Sequence, residues 1–311
     1  MNSNKKPQAA SHMFWFFLLP CLAFMGWSMF KLFQGMKSSP AQNTLPLVEQ
    51  VKRIQSAKSP GDRWQNAYTL SKDIQKLLHA EGINSLSTQD RNQLFSELGT
   101  LLEKNSDDLR LKRYLILTLG QMLSADALPI LEKHLDDRDS EIKFFAAWGV
   151  IEILLKNPAL VTEARLNKIS SWLNDKDSSL QKVTASFLVQ QKDENSKVLV
   201  RQQLKSPDYE IRWNAAVALA SVGDATSRDI LIEIFDPKNL KNAQFQSLKD
   251  LEQLLAAGVS AVLKLNDPEV TESVQKLRDL AKGTDAESQA IRQGLSSLPL
   301  RQTQTSDKAK L

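Results

Sequence analysis

The chain has 311 residues, 42% of them hydrophobic, and a net charge of +4, with 40 Lys+Arg set against 36 Asp+Glu. The two signs are mixed throughout, so no continuous basic groove is expected and nucleic acid is not an expected partner. A single cysteine, Cys21, excludes an intrachain disulfide and leaves no basis for a cysteine-ligated zinc site or thiol catalysis. Glycine and proline number 11 each; that low turn content favours helix.

Residues 1–12 read as a short polar tail. Residues 13–34 follow as an apolar segment, and Met13 to Phe30 carry no charge. At about 1.5 Å per residue, some 20 helical residues span roughly 30 Å, the thickness of a bilayer core. Lys31 can reach the interface, and Trp15 and Trp27 suit an interfacial belt. A cleaved leader would need a shorter apolar run and a small-residue site. Ser39-Pro40-Ala41 is a poor one, and Pro20 before Cys21 argues against lipidation. The expectation is one uncleaved transmembrane helix. Lys5 and Lys6 on one flank balance Lys31 and Lys37 on the other. The shortness of the N-terminal tail then favours placing the bulk of the chain outside the cytoplasm. Residues 35–58 read as a linker and lead-in helix.

From residue 59 the sequence repeats itself. The stretch KSPDYEIRWNAAVALASVG, Lys205 to Gly223, has a counterpart 31 residues earlier, where Asp177, Ala185 and Leu188 answer Asp208, Ala216 and Leu219. A further 38 residues back, Asp139, Ile142, Ala147 and Val150 take the same places, and 31 before that Asp108, Leu111, Ile116 and Leu119 do. Each of these segments follows another apolar helix pattern: Phe95, Leu98 and Leu102; Leu128, Leu131 and Leu135; Leu166, Ile169 and Leu173; Val200 and Leu204. Spacings of three and four mark one buried helical face. The unit is therefore helix, Asp-bearing turn, small-residue helix, and a period of 31–38 residues means stacking of pairs that cannot bury their apolar faces alone. Ala146, Ala147, Ala215 and Ala216 let neighbouring backbones approach, and the turn aspartate caps the helix after it.

Weaker units flank these. Arg63, Trp64 and Ala67 echo Arg212, Trp213 and Ala216. Leu231 and Phe235 start a later pair whose second helix is expected to run through Leu240, Phe245, Leu248 and Leu251. Val270, Val274 and Leu277, with Ala290 and Leu295, suggest a terminal cap. The fold expected over residues 59–298 is an all-α solenoid of stacked antiparallel helix pairs, with residues 299–311 as a polar, disordered tail.

The lines LPILEKHLDDRDSEIKFFAAWGV and KSPDYEIRWNAAVALASVGD resemble HEAT repeats, and the span followed by an Arg-Trp-Gln-x-Ala-Tyr helix resembles a group of bacterial membrane-anchored HEAT proteins. The resemblance implies a ladder along the stack, built from a turn aspartate and a basic residue shortly after it: Asp108/Lys112, Asp139/Lys143 and Asp208/Arg212. Asp177 faces Gln181 and departs from that pattern.

Little in the chain suggests chemistry. His12, His79 and His134 lie in separate units without metal-ligand spacing, and His134 reads as a surface residue at a helix end. No phosphate-binding loop or nucleophile elbow is present. The pairs Asp107-Asp108 and Asp136-Asp137 sit at the repeat's turn position and read as turn and cap residues. No enzyme, cofactor, metal or small-molecule substrate is expected.

A second stripe on the second helices is more suggestive. Phe144 shares its slot with Arg113, Lys182 and Trp213, and Trp148 lies four residues on. A slot that accepts Arg and Lys is expected to face solvent. On that reading Phe144, Trp148 and Trp213, with Lys182 and Arg113, form a protein-binding face, which the HEAT resemblance makes the concave one. The competing reading is that packing between units covers them. The expected function is a membrane-tethered scaffold for a membrane-associated protein partner, in the bacterial inner membrane with its repeats in the periplasm. A rigid spacer is the alternative; a HEAT-like lyase or a nucleic-acid binder is a remoter one.

Overall fold

A computed structural model describes residues 46–297 apart from positions 106, 192, 244 and 246. The polar tail, the apolar segment 13–34 and the C-terminal residues from 299 lie outside the described residues. Among the described residues there is no strand, and no helix is long and apolar enough to cross a membrane.

The helices are α1 Leu47–Ser56, α2 Pro60–Ala80, α3 Thr88–Lys104, α4 Leu109–Gln121, α5 Leu128–Glu132, α6 Ser140–Lys156, α7 Glu163–Ser170, α8 Ser178–Gln190, α9 Glu194–Gln203, α10 Tyr209–Ser221, α11 Arg228–Ile234, α12 Pro237–Asn242, α13 Leu248–Leu265, α14 Pro268–Leu280 and α15 Ala286–Gly294. They form two compact units, whose described parts are residues 46–187 and 188–297.

Most of these helices start at an Asp, Ser or Thr whose side chain accepts a backbone N–H of the first turn. Ser59 accepts from Asp62 at 3.1 Å, Asp108 from Leu111 at 3.0 Å, Asp139 from Ile142 at 3.0 Å and Asp208 from Glu210 at 2.8 Å. Each such cap is worth about 1 kcal/mol, because the first N–H groups of a helix have no partner within it. The far end of α10 is closed with equal economy. Gly223, at φ +78°, donates to Ala220, and Asp224 donates to Leu219 at 3.0 Å. That is the glycine C-cap geometry an L side chain resists.

In the N-terminal unit the pairs stack in two layers. Helices α2, α4 and α6 pack in succession along one layer, while α1 packs on α3 in the other. The alanine and leucine positions read from the repeat are buried: Leu111, Ile116, Leu119, Ile142, Ala146, Ala147 and Val150 are all at or below 1% exposure. Helix α6 is buried on every side from Phe144 to Leu154, as expected of a helix apolar all round. Its contact with α4 is made backbone to backbone. A Cβ on Gly149 would come within 2.8 Å of the Gly120 Cα, and one on Gly120 within 2.9 Å of the Gly149 Cα.

In the C-terminal unit α10, α13 and α15 pack in one layer, and α11 and α14 in the other. The core runs from Trp213 and Ala216 through Leu231, Leu255 and Val262 to Val274, Leu277 and Leu295. One expected element is broken. Leu240 lies in short α12 and Leu248 begins α13, with Phe245 between them. Pro237 after the cap Asp236 starts a new helix, and Ser247 starts another by accepting from Asp250. Two adjacent start signals divide what the apolar spacing alone reads as continuous.

Candidate functional site

The second-helix slot expected to face solvent is covered. Phe144, Trp148 and Trp213 are 4%, 3% and 3% exposed. The reason lies in what Arg113 does in the same slot. Its guanidinium reaches the next repeat, donating through Nε to Asp139 Oδ1 at 3.0 Å and through a second nitrogen to Asp139 Oδ2, with Glu141 2.7 Å away. The slot admits arginine because carboxylates of the following turn receive it, not because it is wet. Trp213 makes the corresponding link in the C-terminal unit, donating from Nε1 to Glu233 Oε1 on α11 at 2.8 Å. Tyr209 meets the Trp213 ring edge-on at 4.9 Å between centroids, and Phe245 lies 6.5 Å away on a tilt. Phe144 packs edge-on against Phe145 at 5.8 Å, and the Trp148 ring lies against the face left open by Gly120. Lys182 on α8 is half-buried. The structure thus makes Arg113 and Trp213 links between repeats and buries Phe144 and Trp148, so the three aromatic residues form no exposed face.

The ladder is built differently from the pairing Asp108/Lys112, Asp139/Lys143 and Asp208/Arg212. Those aspartates are occupied as caps. Each lysine instead reaches forward to the aspartate two positions before the next cap: Lys112 to Asp137 at 2.5 Å, and Lys143 to Asp175. These acids also hold their own turns, Asp137 accepting the Asp139 N–H at 3.0 Å and Asp175 the Asp177 N–H at 3.1 Å. The working unit is therefore Asp-x-Asp, the first carboxylate for the preceding repeat's lysine and the second for the following helix. Gln181, the departure in sequence, bonds the Asp175 carbonyl in its own turn. Arg212 bonds Glu233 Oε1 at 2.5 Å and the Ser206 carbonyl at 2.7 Å. Arg63 approaches Asp108 at 3.5 Å, with Asn105 nearer at 2.9 Å. Burial alone would raise the Asp137 and Asp175 carboxyls. The lysine partner and the turn N–H outweigh it and hold both below the usual carboxylate range.

His134 is not a surface residue. Its side chain is 17% exposed and its Nδ1 lies 3.5 Å from Asp137 Oδ2. Burial, then the nearby Lys112 charge, lowers its pKa despite Asp137. Among the described residues no group of three or more His, Cys, Asp or Glu is gathered to hold a metal ion.

One group the sequence reading passed over is Glu152. It is 9% exposed, lies on α6 one turn beyond Trp148, and is in none of the ion pairs. Burial pushes its carboxyl up to about 7, and the Trp148 N–H draws it back only in part. The Trp148 Nε1 itself is buried and makes no hydrogen bond within normal geometry. The signal was available: an acid eight residues after Phe144, on a helix otherwise apolar from Phe144 to Leu154.

With this architecture in place the comparisons can be read. Residues 166–249 match the family model of HEAT repeats. The all-helical fold of stacked pairs agrees with that match. No curated protein matches the chain. Among solved structures, Escherichia coli YibA is 14% identical, with 85% of this chain and 100% of that one covered and a TM-score of 0.44. An engineered protein is 20% identical, with 73% and 95% covered and a TM-score of 0.34. The complex of CpcE and CpcF of phycocyanin lyase from Nostoc is 16% identical, with 79% and 99% covered and a TM-score of 0.37. At those scores none of the three carries a functional reading to this chain.

Proposed function

We propose that this protein is a non-catalytic scaffold that binds a protein partner through the surface of its HEAT-like repeats, tethered to a membrane by residues 13–34. The observation that carries this reading is the construction of the stack. Its polar side chains serve to cap helices and to link one repeat to the next, which holds the repeat surface of each unit in a fixed arrangement. The apolar segment supplies the tether, and a tether confines encounters to partners at the bilayer; the inner membrane of a bacterium, with the repeats in the periplasm, is the setting this implies.

Because Phe144, Trp148 and Trp213 are interior, contact with a partner falls to other side chains. Val198 and Leu199 on α9 are adjacent, apolar and 41% and 36% exposed, a candidate contact. Photocrosslinking from these two positions in intact membranes tests the reading. A discrete protein adduct, lost on Val198→Ser/Leu199→Ser while the helical content is kept, is expected. Absence of any adduct from these positions or from other exposed positions on the repeats would remove the scaffold reading and leave that of a rigid spacer.

A further inference from the structure

Helix α6 contains an unusual pairing for a helix interior. Glu152 has no cation beside it. The charged groups of the elements packed on α6 are engaged elsewhere: on α4, Lys112 with Asp137, Arg113 with Asp139 and Glu141, and Arg110 4.0 Å above the Trp64 ring; on α5, Glu132 with Arg165. The 3-10 turn Pro158–Leu160 carries none. On the connection between α5 and α6, Lys133 pairs with Glu103, His134 lies beside Asp137, Asp136 is held by Lys168, and Arg138 is exposed. On α6 itself, Lys143 is taken by Asp175 and Lys156 is exposed. One turn back from Glu152, whose pKa burial raises, the buried Trp148 N–H is turned toward that carboxyl and lowers its pKa in part, but falls short of normal hydrogen-bond geometry, while the Trp148 ring fills the hollow left by Gly120. A neutral carboxyl is tolerated here. An ionised one needs water or a full hydrogen bond from Trp148, and either demands movement where α4 and α6 touch backbone to backbone.

We propose that the Trp148–Glu152 pair makes the packing of α6 on α4 proton-linked, tight while Glu152 is protonated and loosened when it ionises. The consequence is a unit whose rigidity changes between mildly acidic and mildly alkaline conditions, a regulation of the scaffold that is independent of which partner it binds. The sign follows from the burial: the folded chain holds this proton more tightly than the unfolded one, so raising the pH through neutrality favours opening.

Hydrogen exchange of the full chain, corrected for the intrinsic pH dependence of exchange, tests this without any substitution. Between pH 5 and pH 8 the protection of α6 amides is expected to fall on the order of a hundredfold, while that of α10 amides changes little. Glu152→Gln is expected to abolish the fall in α6. Unchanged α6 protection across that range in the wild type overturns the proposal, and so does an equal fall in a folded Glu152→Gln chain.

Discussion

Helices α6 and α10 each bury a tryptophan close to a glutamate, and the two arrangements are electrostatic opposites. In α10 the Trp213 N–H donates to Glu233, whose carboxylate also receives Arg212. Burial would raise that carboxyl, but Arg212 and Trp213 together hold it below its ordinary range. In α6 the acid has no arginine, and burial prevails, pushing Glu152 up to about 7. Burial of a tryptophan beside an acid thus decides nothing by itself. The presence of one guanidinium decides whether the acid is a permanent anion that links repeats or a neutral group that tolerates its surroundings.

The two units also differ in what limits the approach of their helices, α6 in one and α13 in the other, and the largest effect is expected there. Gly149 on α6 meets the backbone of α4, which cannot give way; Gly258 on α13 meets the far end of the Phe235 side chain at 2.9 Å, which can tilt aside about its Cα–Cβ bond without moving a backbone. Gly149→Val should cost about 3 kcal/mol or more in denaturant unfolding. Gly258→Ala should fall within about 1 kcal/mol of wild type, since the gain in helix propensity offsets the contact. Equal costs would mean that the backbone contact does not limit the packing of α6.

The same substitution at the two acids should act with opposite sign. Burial pushes the folded Glu152 carboxyl up to about 7, against 4.5 when it is exposed in the unfolded chain. The unfolded chain therefore loses its proton first, and stability falls as pH rises from about 4.5 to 7. Above that range the cost is about 3 kcal/mol. Glu152→Gln should recover much of it at pH 8 and little at pH 4.5. Glu233 is the reverse case, its lowered pKa giving stability that is present at neutral pH and lost on acidification through the folded value. Glu233→Gln should cost about 1–2 kcal/mol at pH 7, leaving Arg212 without its anion. Urea titrations of both variants at pH 5 and pH 8 check the crossing of signs.

These contrasts also show what was legible in the sequence. The repeat, its capping aspartates and its small-residue positions were, because a helix start and a buried face are local patterns of three and four residues. The environment of the Phe144 slot was not. Arg113 in that slot argues for solvent only if no acid waits on the next repeat, and the partner, Asp139, is 26 residues away in sequence. The ladder failed for the same reason: Lys112 and Asp139 are each easily recognised, but which carboxylate the lysine reaches depends on the rise between stacked pairs. The recurrence of Asp137-x-Asp139 as Asp175-x-Asp177, 38 residues on, was visible and would have suggested separate roles for the two acids. Glu152 was visible as the one acid in the apolar run Phe144–Leu154, but whether a cation reaches it depends on the packing of other helices, which no local pattern gives.

The smallest effect expected is at the ladder, and it separates the two jobs of the Asp-x-Asp turn. Asp139 caps α6 and receives Arg113, whereas Asp175 receives Lys143 across repeats and accepts N–H groups of its own turn. Asp139→Ala should therefore cost about 2 kcal/mol or more, the loss of a cap together with the anion that receives Arg113, and the cap's share of about 1 kcal/mol should persist at high salt. Lys143→Gln removes a partly exposed ion pair, and its cost should be below about 1 kcal/mol and shrink further in 1 M salt. If Lys143→Gln instead matched Asp139→Ala at high salt, the rungs between repeats would be as important to the stack as the caps within them. Rigidity would then reside in the long-range pairs that the local pattern does not reveal.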